Sequence, residues 1–210
     1  MSVTVLDHPL AERSLLHLRE VTTPPPRFRA AARRLGALLA IEATRSLVTV
    51  EKSVRTPLGP AVGRFPTRSV VAVPVLRAGL GLLEGVMDVI PYVTVGMVGL
   101  ERDPETLQPA HYYRKLPDLA DALVLVLEPM LATGGSSGAA VAEVAEAPSV
   151  TVLSVVATHQ AINHLATVRA DINLVTAAID PGLDDDGYIV PGVGDFGDRL
   201  YGTGHGSGLT

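Results

Sequence analysis

Apolar positions change rhythm near residue 69. Before it they recur at helical spacing over 11–20 and, more strongly, over 27–45, with Thr-Thr-Pro-Pro-Pro at 22–26 breaking the two. The second stretch is rich in Ala, Leu and Arg, all good helix formers, so both stretches predict helices. Residues 47–56 partly alternate, as a strand does, and Pro57-Leu-Gly-Pro60 predicts a turn. Beyond 69, nearly continuous β-branched runs occupy 70–76, 92–98, 122–127, 150–156 and 172–178. Runs of that kind suit strands buried on both faces of a parallel sheet. Helix-compatible segments at 80–89, 137–146 and 160–170 separate them. This β-α-β rhythm predicts an α/β fold, an open and mostly parallel sheet with helices on both faces. No internal repeat is visible, and the 210 residues predict a single domain spanning 1–210. Residues 101–115, with several charges, Pro104, Pro109 and Tyr112-Tyr113, break the rhythm and predict a mobile β-hairpin excursion.

Composition narrows the function classes. Hydrophobic residues make up 47% and charged ones 19%, which excludes wholesale disorder. The absence of cysteine excludes disulfides, zinc thiolate sites and thiol nucleophiles. A net charge of −5 argues against nucleic acid or an anionic membrane as partner. No uncharged apolar run approaches the roughly 18 residues of a membrane span, and the start lacks a signal-peptide pattern, so a cytoplasmic location is expected. Of the 17 cationic residues only Lys52 and Lys115 are lysine. Arginine's planar fork suits phosphate and carboxylate. A genome that favours arginine codons gives the same count, so only position decides.

In open α/β sheets ligands bind beyond the carboxyl ends of the strands, which directs attention to the loops there. Gly192-Val-Gly194-Asp-Phe-Gly197 matches G-x-G-x-x-G in letters, but a short Gly-rich tail follows where a long helix is needed. Arg77-Ala-Gly79-Leu-Gly81-Leu-Leu-Glu-Gly85 has better context, with its third glycine one residue late and Glu101 placed as a ribose carboxylate would be. A stronger signal is Glu128-Pro-Met-Leu-Ala-Thr133-Gly134-Gly135-Ser136, between a strand and a helix start. Glycines let backbone N–H groups converge on a phosphate, hydroxyls add donors, and the helix dipole favours an anion. A Walker loop is excluded because no lysine precedes the serine. The competing reading is a plain turn with a serine N-cap. Glu128 could accept hydrogen bonds from a ribose diol. Arg77, on a Gly-flanked turn, and Arg102, at the start of the excursion, could each grip a diphosphate. His159 reads as a surface or capping residue, and Asp184-Asp185-Asp186 as a solvated turn.

Together these residues resemble the uracil phosphoribosyltransferases, a branch of the type I phosphoribosyltransferase family. The resemblance runs through His8-Pro9-Leu10, Ile41-Glu-Ala-Thr44, Val73-Pro-Val-Leu-Arg77-Ala-Gly-Leu-Gly81, Arg102 with Glu105-Thr-Leu-Gln-Pro109, and Pro129 to Ser136. It closes with Tyr188-Ile-Val-Pro-Gly-Val-Gly-Asp195 and Gly197-Asp-Arg199. Glu128 stands where most members have Asp, and Phe196 where many bacterial members have Ala. The resemblance implies transfer of a phosphoribosyl group from 5-phosphoribosyl 1-diphosphate (PRPP) to uracil, giving UMP and diphosphate in pyrimidine salvage. It implies that Arg77 and Arg102 hold the diphosphate. Glu128, Pro129, Met130, Leu131, Ala132, Thr133, Gly134, Gly135 and Ser136 would hold the ribose and 5′-phosphate. Asp195 would stand at the PRPP and metal end, and Ile189, Gly194, Asp195 and Phe196 would contact uracil, largely through backbone groups. Arg77, Arg102 and Asp195 are thereby the implied catalytic set. Mg²⁺ held mainly through PRPP is the implied cofactor. The resemblance further implies a small hood built from terminal segments, a homodimer or higher homo-oligomer, and GTP as an effector in some members. A regulator that binds PRPP without turnover is the alternative, and retention of both loops speaks against it.

Overall fold

The computed structural model describes residues 1–102 and 109–204, those at 101, 102 and 109–111 by backbone alone. In chain order the elements are β1 (Ser2–Val5), α1 (Pro9–Arg19), α2 (Pro25–Ala43), β2 (Thr49–Thr56), β3 (Gly59–Pro66), β4 (Ser69–Leu76) and α3 (Leu80–Val89). There follow β5 (Thr94–Val95), β6 (Met97–Arg102), β7 (Pro109–Lys115), β8 (Ala122–Leu127), β9 (Met130–Leu131) and α4 (Gly135–Glu143). The chain continues through β10 (Ser149–Thr158), α5 (His159–Val168), β11 (Asn173–Asp180), β12 (Gly182–Leu183), β13 (Ile189–Val190) and α6 (Phe196–Tyr201).

The main sheet has the order β1-β11-β10-β8-β4-β6-β7, with β5 added beside β4 and β9 beside β10. Every pairing is parallel except β6 with β7, which forms the expected hairpin from Met97↔Lys115 outward. Its tip, 103–108, lies outside the described residues. The five strands that the hydrophobic runs predict, β4, β6, β8, β10 and β11 in chain order, lie 2-1-3-4-5 across the sheet. The order therefore reverses between β4 and β8, and a crevice opens at such a switch point.

The continuous apolar runs divide their side chains between two cores. Leu123, Leu125 and Leu127 face α2 and α3 with Phe28, Leu35, Leu39, Leu82 and Val86. Val124 and Val126 face α4 and α5 with Val141 and Leu165. Strand side chains alternate faces, so a strand covered by helices on both sides must be apolar at every position. Each fully buried leucine contributes about 1.5–3 kcal/mol.

Terminal segments form the hood. Phe28 of α2 and Phe196 of α6 meet edge to face at 5.0 Å. His8 caps α1, its Nδ1 accepting from the Leu10 N–H at 3.1 Å. The prolines predicted to break the chain at 22–26 in part begin a helix: Pro25 and Pro26 open α2, where a missing N–H costs nothing. Among the described residues no helix is long and apolar enough to cross a membrane.

Candidate active site

At the β4/β8 switch a crevice of about 180 Å³ is lined by Val75, Leu76, Arg77, Ala78, Leu100, Glu128, Met130, Ala132 and the run Thr133–Ser137. Beyond Leu76, Arg77 and Leu100 a second hollow of about 260 Å³ continues to Tyr112 on β7. The hairpin thus forms one wall of the site.

The cradle is built by local sequence. Gly134 takes φ +90°, a left-handed conformation that turns the chain into α4. It is the N-cap of α4 and supplies no side-chain cap. The first-turn N–H groups of a helix lack intrahelical acceptors and present a partial positive charge to whatever lies ahead of them. Here that is the crevice. Gly134, not a serine, stands at the N-cap, and Ser136 and Ser137 of the first turn line the crevice. Thr133 Oγ1 accepts from the Gly135 N–H at 3.5 Å.

Glu128 follows β8 and is buried, its relative exposure 8%. Burial pushes its carboxyl up to about 8, against a smaller opposing pull from the Met130 N–H. At neutral pH it is mainly protonated and offers a donor as well as an acceptor. Leu131 and Pro129 do not reach the crevice surface. Leu131 is fully buried in the core beside α4 and α5. The Pro129 carbonyl accepts from the N–H groups of Val155 (2.9 Å) and Val156 (3.1 Å) and from the Ser154 hydroxyl (3.0 Å), which fixes the loop to β10.

Arg77 is largely exposed at the crevice rim, 3.3 Å from Asp198 of α6. The Tyr201 hydroxyl donates to the Arg77 carbonyl at 3.4 Å, and the guanidinium lies 5.8 Å from that ring. Arg102 ends β6 on the same hairpin wall; its side chain lies outside the described residues.

Ile189, Gly194, Asp195 and Phe196 make a separate group, joined to the crevice through the Arg77–Asp198 contact. Ile189 and Phe196 are buried, the Phe196 ring against Phe28, so any ligand contact at 196 is made by its backbone. Asp195 is exposed and caps α6, accepting from the Asp198 N–H at 2.8 Å. Asp184 stabilises the acidic turn locally, accepting from the N–H groups of Asp186 (3.1 Å) and Tyr188 (2.8 Å). The decoy glycine motif runs into a helix, but α6 begins inside it at Phe196 and has only six residues.

Three residues to which the sequence assigned no role hold this loop. Arg19 donates to both Asp180 oxygens, at 2.7 and 2.8 Å, and to the Gly192 carbonyl at 2.9 Å. Asp180 in turn accepts from the Gly192 N–H at 2.9 Å. Burial raises the Asp180 carboxyl, but the Arg19 hydrogen bonds, the Gly192 N–H and the Arg19 charge together hold it below its ordinary value. Arg199 donates to the carbonyls of Val193 (2.7 Å), Glu20 (2.6 Å) and Leu18, with its guanidinium 4.6 Å from the Phe28 ring. Arg19 and Asp180 lie far apart in the chain, so no local pattern announces them; Arg199 sits inside a family motif without an evident role.

The uracil phosphoribosyltransferase family model matches residues 5–203. A protein of Thermus thermophilus named uracil phosphoribosyltransferase is 44% identical over 207 residues, covering 97% of this chain and all of that one. A solved structure from Aquifex aeolicus superposes with a TM-score of 0.90 at 35% identity, covering 95% of this chain and 97% of that chain. A Staphylococcus aureus hypoxanthine phosphoribosyltransferase, 11% identical with a TM-score of 0.51, covers 79% of this chain and 85% of its own, and shares the fold alone. The chain belongs to the uracil phosphoribosyltransferase family.

Proposed function

We propose that the crevice at the β4/β8 switch carries out the family reaction, in which uracil and PRPP give UMP and diphosphate. The observation that carries this reading is the gathering of Arg77, Glu128 and Thr133–Ser136 around one cavity. The cradle takes the 5′-phosphate, Glu128 the ribose diol, and Arg77, with Arg102 from the hairpin, the diphosphate. The C1–oxygen bond breaks and its electron pair leaves with the diphosphate, while N1 of uracil bonds to C1 and gives up its proton to water or to the departing diphosphate. Positive charge at the departing group is the main source of rate, and no strong base is needed because uracil is weakly acidic.

Mg²⁺ fits this site as a companion of the substrate. Among the described residues no cluster of three carboxylates or histidines comes together. Mg²⁺ is commonly held by one or two carboxylates together with substrate phosphates. Asp195 stands at the PRPP and metal end, the ion would be held mainly through PRPP itself, and when bound it would help neutralise the departing diphosphate.

Uracil is read by main-chain groups of Ile189, Gly194 and Phe196 matched to its O2, N3 and O4 edge. Cytosine reverses donor and acceptor at N3 and at the 4-position and leaves buried groups unpaired, a mismatch worth roughly 10⁴ in specificity. The test uses labelled uracil, PRPP and Mg²⁺. UMP should form, with none of the corresponding nucleotide from cytosine or hypoxanthine. PRPP binding without turnover would favour the regulator, and comparable kcat/KM for uracil and cytosine would refute the backbone-edge account. GTP added to the same assay tests activation. The reading takes 1–210 as one catalytic unit in the cytoplasm, assembled as a homodimer or higher homo-oligomer.

A further inference from the structure

A site that reads a base through main-chain atoms needs those atoms held before the base arrives, and glycines alone leave them free. The segment between β13 and α6 contains Gly192 at φ +54° and Gly194 at φ +70°. A Cβ at Gly192 would lie 2.0 Å from the Ile189 carbonyl oxygen, so this position admits only glycine, the residue with the most conformational freedom to lose. Asp180 holds the Gly192 N–H and Arg19 its carbonyl, while the two side chains are paired with each other. Arg199 holds the next carbonyl, that of Val193, and ties it to the end of α1. Gly192 is thus fixed at both its polar groups and Val193 at its carbonyl. Among the described residues no hydrogen bond occupies the N–H or carbonyl of Gly194.

We propose that Arg19, Asp180 and Arg199 are positioning residues for base recognition, a clamp that sets the main chain at 192–193 and leaves the polar groups of Gly194 free for the pyrimidine. This inference rests on the assignment of the 189–196 segment to uracil. The geometry is specific to the arginine fork. One guanidinium spans a carboxylate and a carbonyl 12 residues apart in the chain, and a lysine ammonium, a point donor, cannot keep the same bidentate pairing with Asp180. Preorganised groups spend no binding energy on ordering when the ligand arrives.

The clamp acts on one substrate only, which separates it from a general structural role. In Arg19→Lys and Arg199→Lys, KM for uracil should rise about tenfold while KM for PRPP stays within about twofold, and discrimination against cytosine should fall. Equal changes in both KM values, or a lowered Tm with unchanged kinetics, would overturn the clamp and leave the uracil reading intact. If the unaltered protein makes no UMP, the functional reading itself has failed. Amide exchange on the unaltered protein supplies a second test that does not depend on a variant folding. The Gly192 amide should already be protected without uracil, and protection gained only on adding uracil and PRPP would overturn the proposal.

Discussion

At the scale of single residues, Arg77 and Glu128 differ in what they cost the fold. Arg77 is exposed, and its contact with Asp198 at 3.3 Å is a surface pair worth less than about 1 kcal/mol. Arg77→Ala should therefore leave Tm nearly unchanged while kcat/KM for PRPP falls by about tenfold to a hundredfold, the loss of one charge-assisted contact. Unchanged kcat/KM in steady-state kinetics would remove Arg77 from the site. Glu128 carries a stability signature as well. Its carboxyl titrates at about 8 in the folded chain against 4.5 as its ordinary value. Between those values the native state keeps a proton that the unfolded state has released, so its contribution to stability is complete below the lower one and is lost as pH rises through the upper. From pH 5.5 to 7.5 the loss should amount to about 2 kcal/mol, and Glu128→Gln should abolish that slope. Urea titrations of both proteins across this range check it; parallel slopes would show that Glu128 is ionised already. Phe196 marks the limit of reading one residue at a time. The sequence places it in a base-binding motif, and only the contact with Phe28 reveals that its ring serves the core.

Elements were legible where burial imposes a pattern. Four of the five hydrophobic runs fall on single strands of the main sheet, because strands covered on both faces must be apolar throughout; the run at 92–98 is divided between β5 and the start of β6. Elements without that constraint leave no such trace. β3, Gly-Pro-Ala-Val-Gly-Arg-Phe-Pro, is exposed along its length and contains two glycines and two prolines, so neither alternation nor propensity marks it as a strand. β1 has four residues and forms a sheet edge, and α6 has six and begins inside a glycine motif. The cradle was legible through its glycines, and its two central positions can be told apart experimentally. Gly134 has φ +90°, and a Cβ there would approach His164 to 3.0 Å, so Gly134→Ala strains the turn by about 1–2 kcal/mol. Gly135 has room, the nearest atom to an added Cβ being Thr133 Oγ1 at 3.8 Å. Gly134→Ala should lower both Tm and PRPP affinity, whereas Gly135→Ala should keep Tm and weaken PRPP alone, about tenfold, by crowding the phosphate. Calorimetric titration with PRPP beside thermal melts checks both; unaltered affinity in the pair would move the phosphate elsewhere.

For the whole molecule, the β2–β3 hairpin is the part that a single copy leaves unexplained. Its register pairs Val50 with Phe65 and Val54 with Ala61, and strand alternation puts these four on one face. Lys52 shares that face, while Glu51 opposite Arg64, Ser53 opposite Val62 and Arg55 opposite Pro60 occupy the other. The first face is the more apolar of the two, and Val50, Val54 and Phe65 on it are each half exposed. Lys52 lies 4.2 Å over the Phe65 ring, and its alkyl stem gives the face only partial shelter. Two strands alone are marginally stable in water, so a persistent hairpin of eight residues a side needs further contact. A second copy of this chain meets that need in the proposed homo-oligomer, and a closed pair would bury both apolar faces by symmetry. Val54→Asp places a charge at the centre of the face without disturbing the main sheet, because the hairpin forms a separate two-stranded sheet. Light scattering on a sizing column should give the unaltered protein at a multiple of 22.0 kDa and shift Val54→Asp toward 22.0 kDa. Glu51→Lys, on the opposite face, should leave the mass where it was. A single-chain mass for the unaltered protein would refute the assembly, and an unshifted Val54→Asp would place its interface away from the hairpin.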